Sequence, residues 1–327
     1  MTRRLGREAL ERVVQPLVAG IYAADPESLS LAATMPRFPE LERQQRSLIL
    51  GLRAQRLQQE PPAGTSGARW SLFVTLAGGM AELVEALGQR LPAGAIRLRS
   101  PVASLARTEA GRRWRVLLAD GRALEADGVV LATPAHQTAG ILAGLDAELA
   151  SLLKGIPYTS SATVTLAYRR EALAHPLDGF GFIVPRSEGR QVLASTFSSV
   201  KYPGRAPDGH VLLRAFLGGT LGGTASQLED EALEQAVREE MAALLGISTA
   251  PLLTRVHRHP AALPQYRVGH LNRLAAIEAR LRQHPGLTLA GNAYRGVGIA
   301  NCIHSGEEAV ERLLAALTPL QAGKGDA

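Results

Sequence analysis

The segment Leu287–Leu314, LTLAGNAYRGVGIANCIHSGEEAVERLL, constrains this chain more than any other. A short apolar run leads into glycines at 291, 296 and 298. A helical pattern follows, with Val310, Leu313, Leu314 and Leu317 expected as its buried stripe. A strand, an open loop and a helix in that order aim backbone N–H groups and the positive helix end at a ligand. Glycine removes the side chains that would block close approach. The same pattern also fits a bare turn that holds nothing. Two helix starts are open: near Ile299, or a capping box of Ser305 with Glu308.

The elements before it must pack with such a unit. Residues 5–20 are predicted helical on Leu10, Val13, Val14, Leu17 and Val18, although Pro16 strains the assignment. A second helix is expected over 40–57. PPAGTSGA at 61–68 is a loop by composition. WSLFVTLAGGMAELVEALGQRL predicts strand, turn and helix, with Met80, Leu83, Val84 and Leu87 on the apolar face. From Ala95 to Thr133 the chain alternates like strands, with ADGR at 119–122 as a hairpin turn. DGVVLATP at 127–134 is continuous and apolar, as in a strand buried on both faces of a parallel sheet. More strands are expected over 163–217, then a helix on Leu233, Val237, Met241 and Leu244, and another at 270–283. A sheet-rich block between αβ ends predicts two interleaved domains.

Composition removes some classes. The net charge is +6 and the pI about 9.9, but the arginines are scattered and the only lysines are Lys154, Lys201 and Lys324. No basic face with interleaved aromatics points to nucleic acid. Arginine bias explains the charge, with an acidic ligand or anionic lipid as the alternative. Cys302 is the one cysteine, which fits a reducing, cytoplasmic compartment. No apolar run reaches the roughly 18 residues of a membrane span; a peripheral membrane contact is left open. His257 and His259 have strand spacing for a metal, without an obvious third ligand, so no metal is assigned. Cys302 beside His304 reads as loop packing rather than a nucleophile, and Tyr266 lines a cavity or fills core.

Together the segments AGNAYRGVGIANCIHSGEEAVERLL, RRLGREALERVVQPLVAGIYAADPESLSLAATMPRFPELE, LFVTLAGGMAELVEALGQRL, ADGVVLATPAHQTAGIL, FSSVKYPGRAPDGHVLLRAFLGG and ALPQYRVGHL resemble the protoporphyrinogen and coproporphyrinogen oxidases. The resemblance runs along nearly the whole chain in the family's order. It implies an α/β (mixed α+β) fold: an incomplete two-part FAD-binding Rossmann-like domain with an inserted substrate domain of mixed sheet plus helices. By position, 1–68 is a helical substrate- or membrane-facing part and 69–145 a FAD-binding part. Residues 146–275 are then the substrate sheet and 276–327 the second FAD-binding part.

The resemblance implies FAD as cofactor. Gly291 and Asn292 fall near its pyrophosphate and ribityl chain. Gly296, Val297, Gly298 and Ile299 fall by the pyrimidine edge, Val102 by adenine, and Thr133 and Pro134 under the cofactor. It implies hydride transfer from a tetrapyrrole porphyrinogen to the flavin, with dioxygen as acceptor, in haem biosynthesis. No catalytic base is identified. A G-x-G-x-x-G strand–turn–helix with a following acidic residue, expected of such proteins, does not occur here; GGTLGGT at 218–224 has the wrong spacing. The expectation is therefore an N-terminally truncated oxidase that lacks its main phosphate anchors. The alternatives are a non-catalytic remnant, a split-protein subunit needing a FAD-anchoring segment in trans, or another flavin amine oxidase or desaturase.

Overall fold

The computed structural model describes residues 2, 6–58, 74–109, 113–220 and 228–322. In chain order, helix α1 runs through Arg7–Ala9, a π turn at Leu10–Val14, and Gln15–Tyr22. Then come α2 (Leu31–Thr34), α3 (Arg37–Gln45), α4 (Leu48–Gln58) and α5 (Ala81–Gln89). Strands β1 (Val102–Arg107), β2 (Trp114–Leu118), β3 (Ala123–Ala126) and β4 (Val129–Leu131) precede α6 (Ala135–Leu142) and α7 (Ala147–Lys154). The next block is β5 (Tyr158–Arg169), β6 (Gly181–Ile183), β7 (Val192–Phe197), α8 (Ser198–Lys201), β8 (His210–Gly218), α9 (Asp230–Leu245) and β9 (Leu253–Pro264). The chain ends with α10 (His270–Leu281), β10 (Leu287–Leu289) and α11 (Ile299–Ala322).

These elements divide into two discontinuous units. The first holds residues 1–28, 45–92 and 159–262. Its sheet has the order β6-β7-β8-β5-β9. Leu233, Val237 and Met241 of α9 are fully buried and join a core with Val164, Leu166 and Leu213 of the sheet. Burying a side chain of that size contributes about 2 kcal/mol. In α1 the π turn ends two residues before Pro16. Proline has no N–H, and its ring crowds the carbonyl four residues earlier, so one wider turn keeps the helix continuous. Of the apolar residues at helical spacing, Leu10 and Val18 are buried, while Val13 and Leu17 are exposed.

The second unit holds residues 29–44, 93–158 and 263–327. It contains a meander of order β1-β2-β3 and a parallel pair, β4 with β10. The ADGR hairpin forms as expected, with Gly121 at φ +85°. Its core gathers Trp114, Leu142, Leu149, Leu153, Leu274 and Leu289.

Several expectations change. The strand expected from Ala95 starts at Val102, because Arg99 takes φ +54° and Pro101 has no N–H to donate. The helix expected over 40–57 is two helices, broken where Arg46 takes φ +54°. In DGVVLATP only Leu131 is buried, and Val129 and Val130 are half-buried, since the parallel sheet is two strands wide among the described residues. The α5 stripe is formed but not covered: Met80, Val84 and Leu87 are exposed. On α11, Val310 and Leu314 are likewise exposed, while Leu313 faces Gly128 of the strand layer. The strand expected before Gly78 and the 61–68 loop lie wholly or partly outside the described residues, as does most of GGTLGGT.

Candidate functional site

Parallel pairing brings the sequence-predicted residues to one end of the second unit. Leu289 stands opposite Leu131, and the Ala290 N–H donates to the Leu131 carbonyl at 3.0 Å. Thr133-Pro134 and Gly291-Asn292 therefore leave the carboxyl ends of neighbouring strands, where open α/β sheets bind ligands. A Cβ added to Gly291 would sit 3.8 Å from the Ala132 carbonyl. The Thr133 and Thr138 hydroxyls lie 2.8 Å apart, and the Ala135 N–H, at the start of α6, donates to Tyr158 Oη at 2.8 Å. Val102 lies elsewhere, at the start of β1 in the meander, half-buried against the core.

The loop after β10 is held by its backbone. The Gly291 N–H donates to Ser305 Oγ at 3.1 Å. Tyr266 Oη donates to the Asn292 carbonyl at 2.6 Å and accepts the Gly296 N–H at 2.8 Å. His270 Nε2 donates to the Tyr294 carbonyl at 2.9 Å. Helix α11 starts at Ile299, so Ser305 is a mid-helix residue and not a cap. Gly296 takes φ +143°, backbone open to glycine alone. Gly298 and Ile299 are exposed at the helix start, and the first turn carries no acidic residue. Its unpaired N–H groups and the positive helix end are free to meet negative charge. Gly291, Asn292, Gly296, Val297, Gly298 and Ile299 thus lie on one loop: the backbone groups of Gly291, Asn292 and Gly296 are held by Ser305 and Tyr266, and Val297, Gly298 and Ile299 lead from that held part into the helix start.

His270 and the Tyr266 ring stack at 4.2 Å, 13° from parallel. Both are buried, at 4% and 0% exposure. Burial pushes the His270 pKa down against its hydrogen bond to Tyr294, and the charges of Arg273 and Arg295 push it down further. A histidine so depressed binds its proton less readily folded than unfolded. Its stabilising contribution is present above the unfolded value near 6.5 and is lost as pH falls from there toward the folded value. The stability of this unit is expected to drop as pH is lowered below about 6.5, and His270→Gln to flatten that dependence, read by urea unfolding across pH.

A groove of about 450 Å³ follows the edge of β10 that β4 leaves free. Leu274, Ile277 and Leu281 of α10 line it with Leu287, Leu289 and Ala316. No residue of β4 lines it. Peptide groups alternate sides along a parallel strand. Gly286 and Ala290 bond toward β4, so those of Leu287 and Leu289 face away from it.

Other candidates fall away from this site. Burial raises the Cys302 thiol pKa, which disfavours a nucleophilic thiolate. His257 and His259 are exposed on β9, and Arg258 between them pairs with Asp230 at 2.6 Å. Among the described residues no group of three His, Cys, Asp or Glu could hold a metal, and no helix is long and apolar enough to cross a membrane. Sequence reasoning missed the anchoring roles of His270 and Ser305 and the buried ion cluster around Asp146. For Asp146 a signal existed: GLDAELASLL places an aspartate directly before an apolar helical run, an N-cap pattern.

Comparisons with known proteins complete the picture. The family model described as flavin containing amine oxidoreductase matches residues 1–314. Coproporphyrinogen III oxidase of Bacillus subtilis (strain 168) is 34% identical over 313 residues, covering 95% of this chain and 66% of that protein. Protoporphyrinogen oxidase of Homo sapiens is 36% identical over 326 residues, covering 95% and 67%. A solved structure of a candidate protoporphyrinogen oxidase from Exiguobacterium sp. 255-15 superposes with a TM-score of 0.80 at 31% identity, over 95% of this chain and 65% of that one. Reduced UDP-galactopyranose mutase, at 15% identity and a TM-score of 0.67, shares the fold. The chain spans about two thirds of the length of these curated relatives.

Proposed function

The chain belongs to the family of flavin-containing amine oxidoreductases, and from that premise we propose that it carries the isoalloxazine-facing half of a FAD site and the substrate domain of a porphyrinogen oxidase. One observation carries the reading: the Gly291–Ile299 cradle opens beside Thr133-Pro134 at the carboxyl ends of a parallel strand pair. The residues present fit that end of the cofactor. Gly291 has room for close approach, and the start of α11 offers N–H donors with no competing carboxylate in its first turn. When bound, FAD supplies a two-electron acceptor for hydride from a porphyrinogen, with dioxygen as final acceptor in haem biosynthesis. The protein's part is to aim fixed N–H groups where negative charge gathers on a reduced ring, a preorganised stabilisation. Residues 69–145 and 276–327 are assigned to the flavin half, with Val102 by adenine; 1–68 and 146–275 are assigned to the substrate side. In this reading the place of action is cytoplasmic.

A second reading is favoured by the edge of β10 that has no strand beside it among the described residues. An extended apolar segment supplied in trans would add beside β10, pair with the Leu289 peptide groups and the Leu287 carbonyl, the Leu287 N–H being held by the His284 carbonyl at 3.1 Å, and fill the groove between α10 and α11. The two readings separate in one experiment. The purified chain is titrated with FAD, alone and after co-expression with the part of the Bacillus subtilis relative that it does not match. Flavin absorbance and porphyrin fluorescence from coproporphyrinogen III or protoporphyrinogen IX are recorded. Flavin bound by the chain alone supports the first reading, and flavin bound only with the added segment supports the second. No flavin bound at micromolar concentrations in either case overturns both.

A further inference from the structure

We infer that Tyr266 is a positioning residue: its single hydroxyl ties both ends of the Asn292–Gly296 span and sets the shape of the cradle that receives the flavin. The inference rests on the flavin reading of that loop. Tyr266 comes from the connection between β9 and α10, outside the glycine-rich segment, yet its side chain is 0% exposed and ends inside the loop. Oη uses its proton on the Asn292 carbonyl at 2.6 Å and a lone pair on the Gly296 N–H at 2.8 Å. One oxygen thereby satisfies two backbone groups four residues apart, just where Gly296 holds φ +143°. Backbone that glycine alone can adopt persists only when its surroundings over-determine it.

The ring cannot swing away to break those bonds. It stacks on His270 at 4.2 Å, and His270 in turn holds the Tyr294 carbonyl at 2.9 Å. The Gly291 N–H is fixed from the other side by Ser305. Four backbone groups of the loop, at 291, 292, 294 and 296, are therefore spoken for by three side chains. Beyond these four lies the run from Val297 to the first residues of α11, whose N–H groups have no intrahelical carbonyl to meet, and this is the part offered to a ligand. Tyr266 thus does two things at once. It removes the Gly296 N–H from the ligand's reach, and it fixes the direction in which the later N–H groups point.

Tyr266→Phe tests this, since it keeps the stack with His270 and removes only the hydroxyl. In the full chain without FAD, hydrogen exchange at the Gly296 amide is compared with that at Ala290, whose N–H is held by Leu131 in the sheet. The clamp predicts about tenfold faster exchange at Gly296 with Ala290 unchanged. With FAD added, under whichever condition of the preceding section gives wild-type binding, it predicts about tenfold weaker affinity and a shifted visible flavin spectrum. Equal acceleration at both amides marks a general loss of stability and overturns the clamp, as does no acceleration at all. Faster exchange with unchanged flavin affinity and spectrum overturns the positioning role. Failure of the flavin reading itself registers separately, as absence of binding in the wild-type chain under every condition, and the positioning role falls with it.

Discussion

Asp146→Ala is expected to lower the stability of the second unit by about 3 kcal/mol. The Asp146 side chain is 1% exposed and serves three partners. One oxygen accepts the Leu149 N–H at 2.9 Å and caps α7. The other accepts from Arg280 at 2.8 Å and from His284 Nε2 at 2.8 Å. Arg280 stands in the last turn of α10, so the carboxylate meets the positive start of one helix while the guanidinium meets the negative end of another. Burial alone would raise the Asp146 pKa. The Leu149 N–H, His284 and Arg280 outweigh it and hold the carboxyl at about 2, below its ordinary 3.8.

Removing the carboxylate costs about 1 kcal/mol for the cap and more for the Arg280 guanidinium, which loses its buried partner. Arg280 keeps Glu148 at 3.1 Å and is 28% exposed, which moderates the loss. Asp146→Asn restores the cap and not the charge, and is expected to lose less. Urea unfolding followed by tryptophan fluorescence measures both, since Trp114 is buried in the same core. The pH dependence carries a second signature. A carboxylate with a depressed folded pKa stabilises above its unfolded value, so the wild-type contribution is lost as pH falls from 3.8 to about 2. Asp146→Ala is expected to be flat across that window. A variant within 0.5 kcal/mol of wild type, on the order of a neutral surface change, would show that the cluster is ornamental.

What was legible in the sequence follows a physical line. The α9 stripe was readable because Leu233, Val237 and Met241 recur at one helical spacing and the sheet they cover belongs to the same unit. The same logic went wrong on α11, whose stripe was expected to be buried, and on α5 it found an apolar face that is left exposed. Periodicity says that one face of a helix is apolar; it does not say what covers that face. Val84 is 70% exposed and Leu314 58%. The glycine loop was readable because φ +115° at Gly291 and +143° at Gly296 leave a mark on residue choice. Its clamp was not. The Tyr266 hydroxyl bonds to backbone at residues 26 and 30 positions away, and backbone partners leave no mark in the sequence. Pro16 announced a strained helix, but nothing announced the π turn that relieves it.

Gly296→Ala is expected to weaken FAD binding by roughly 10- to 100-fold, the largest functional effect of any single methyl group in the cradle. At φ +143° an alanine is strained by about 1–3 kcal/mol. Its Cβ would also stand 2.5 Å from the Asn301 side chain in the first turn of α11. Asn301 can rotate away from that clash, but the backbone strain has no such exit. The loop then relaxes to another φ when empty and must be forced back when it receives the ring, so the strain reappears as lost affinity. Relaxation also pulls the Gly296 N–H off Tyr266, which joins this effect to that of Tyr266→Phe. The two substitutions together should therefore cost less than the sum of each alone, a coupling that a double-mutant cycle on FAD affinity measures. Strictly additive losses would mean that Tyr266 and Gly296 act on the flavin separately, and that the loop is not one clamped element.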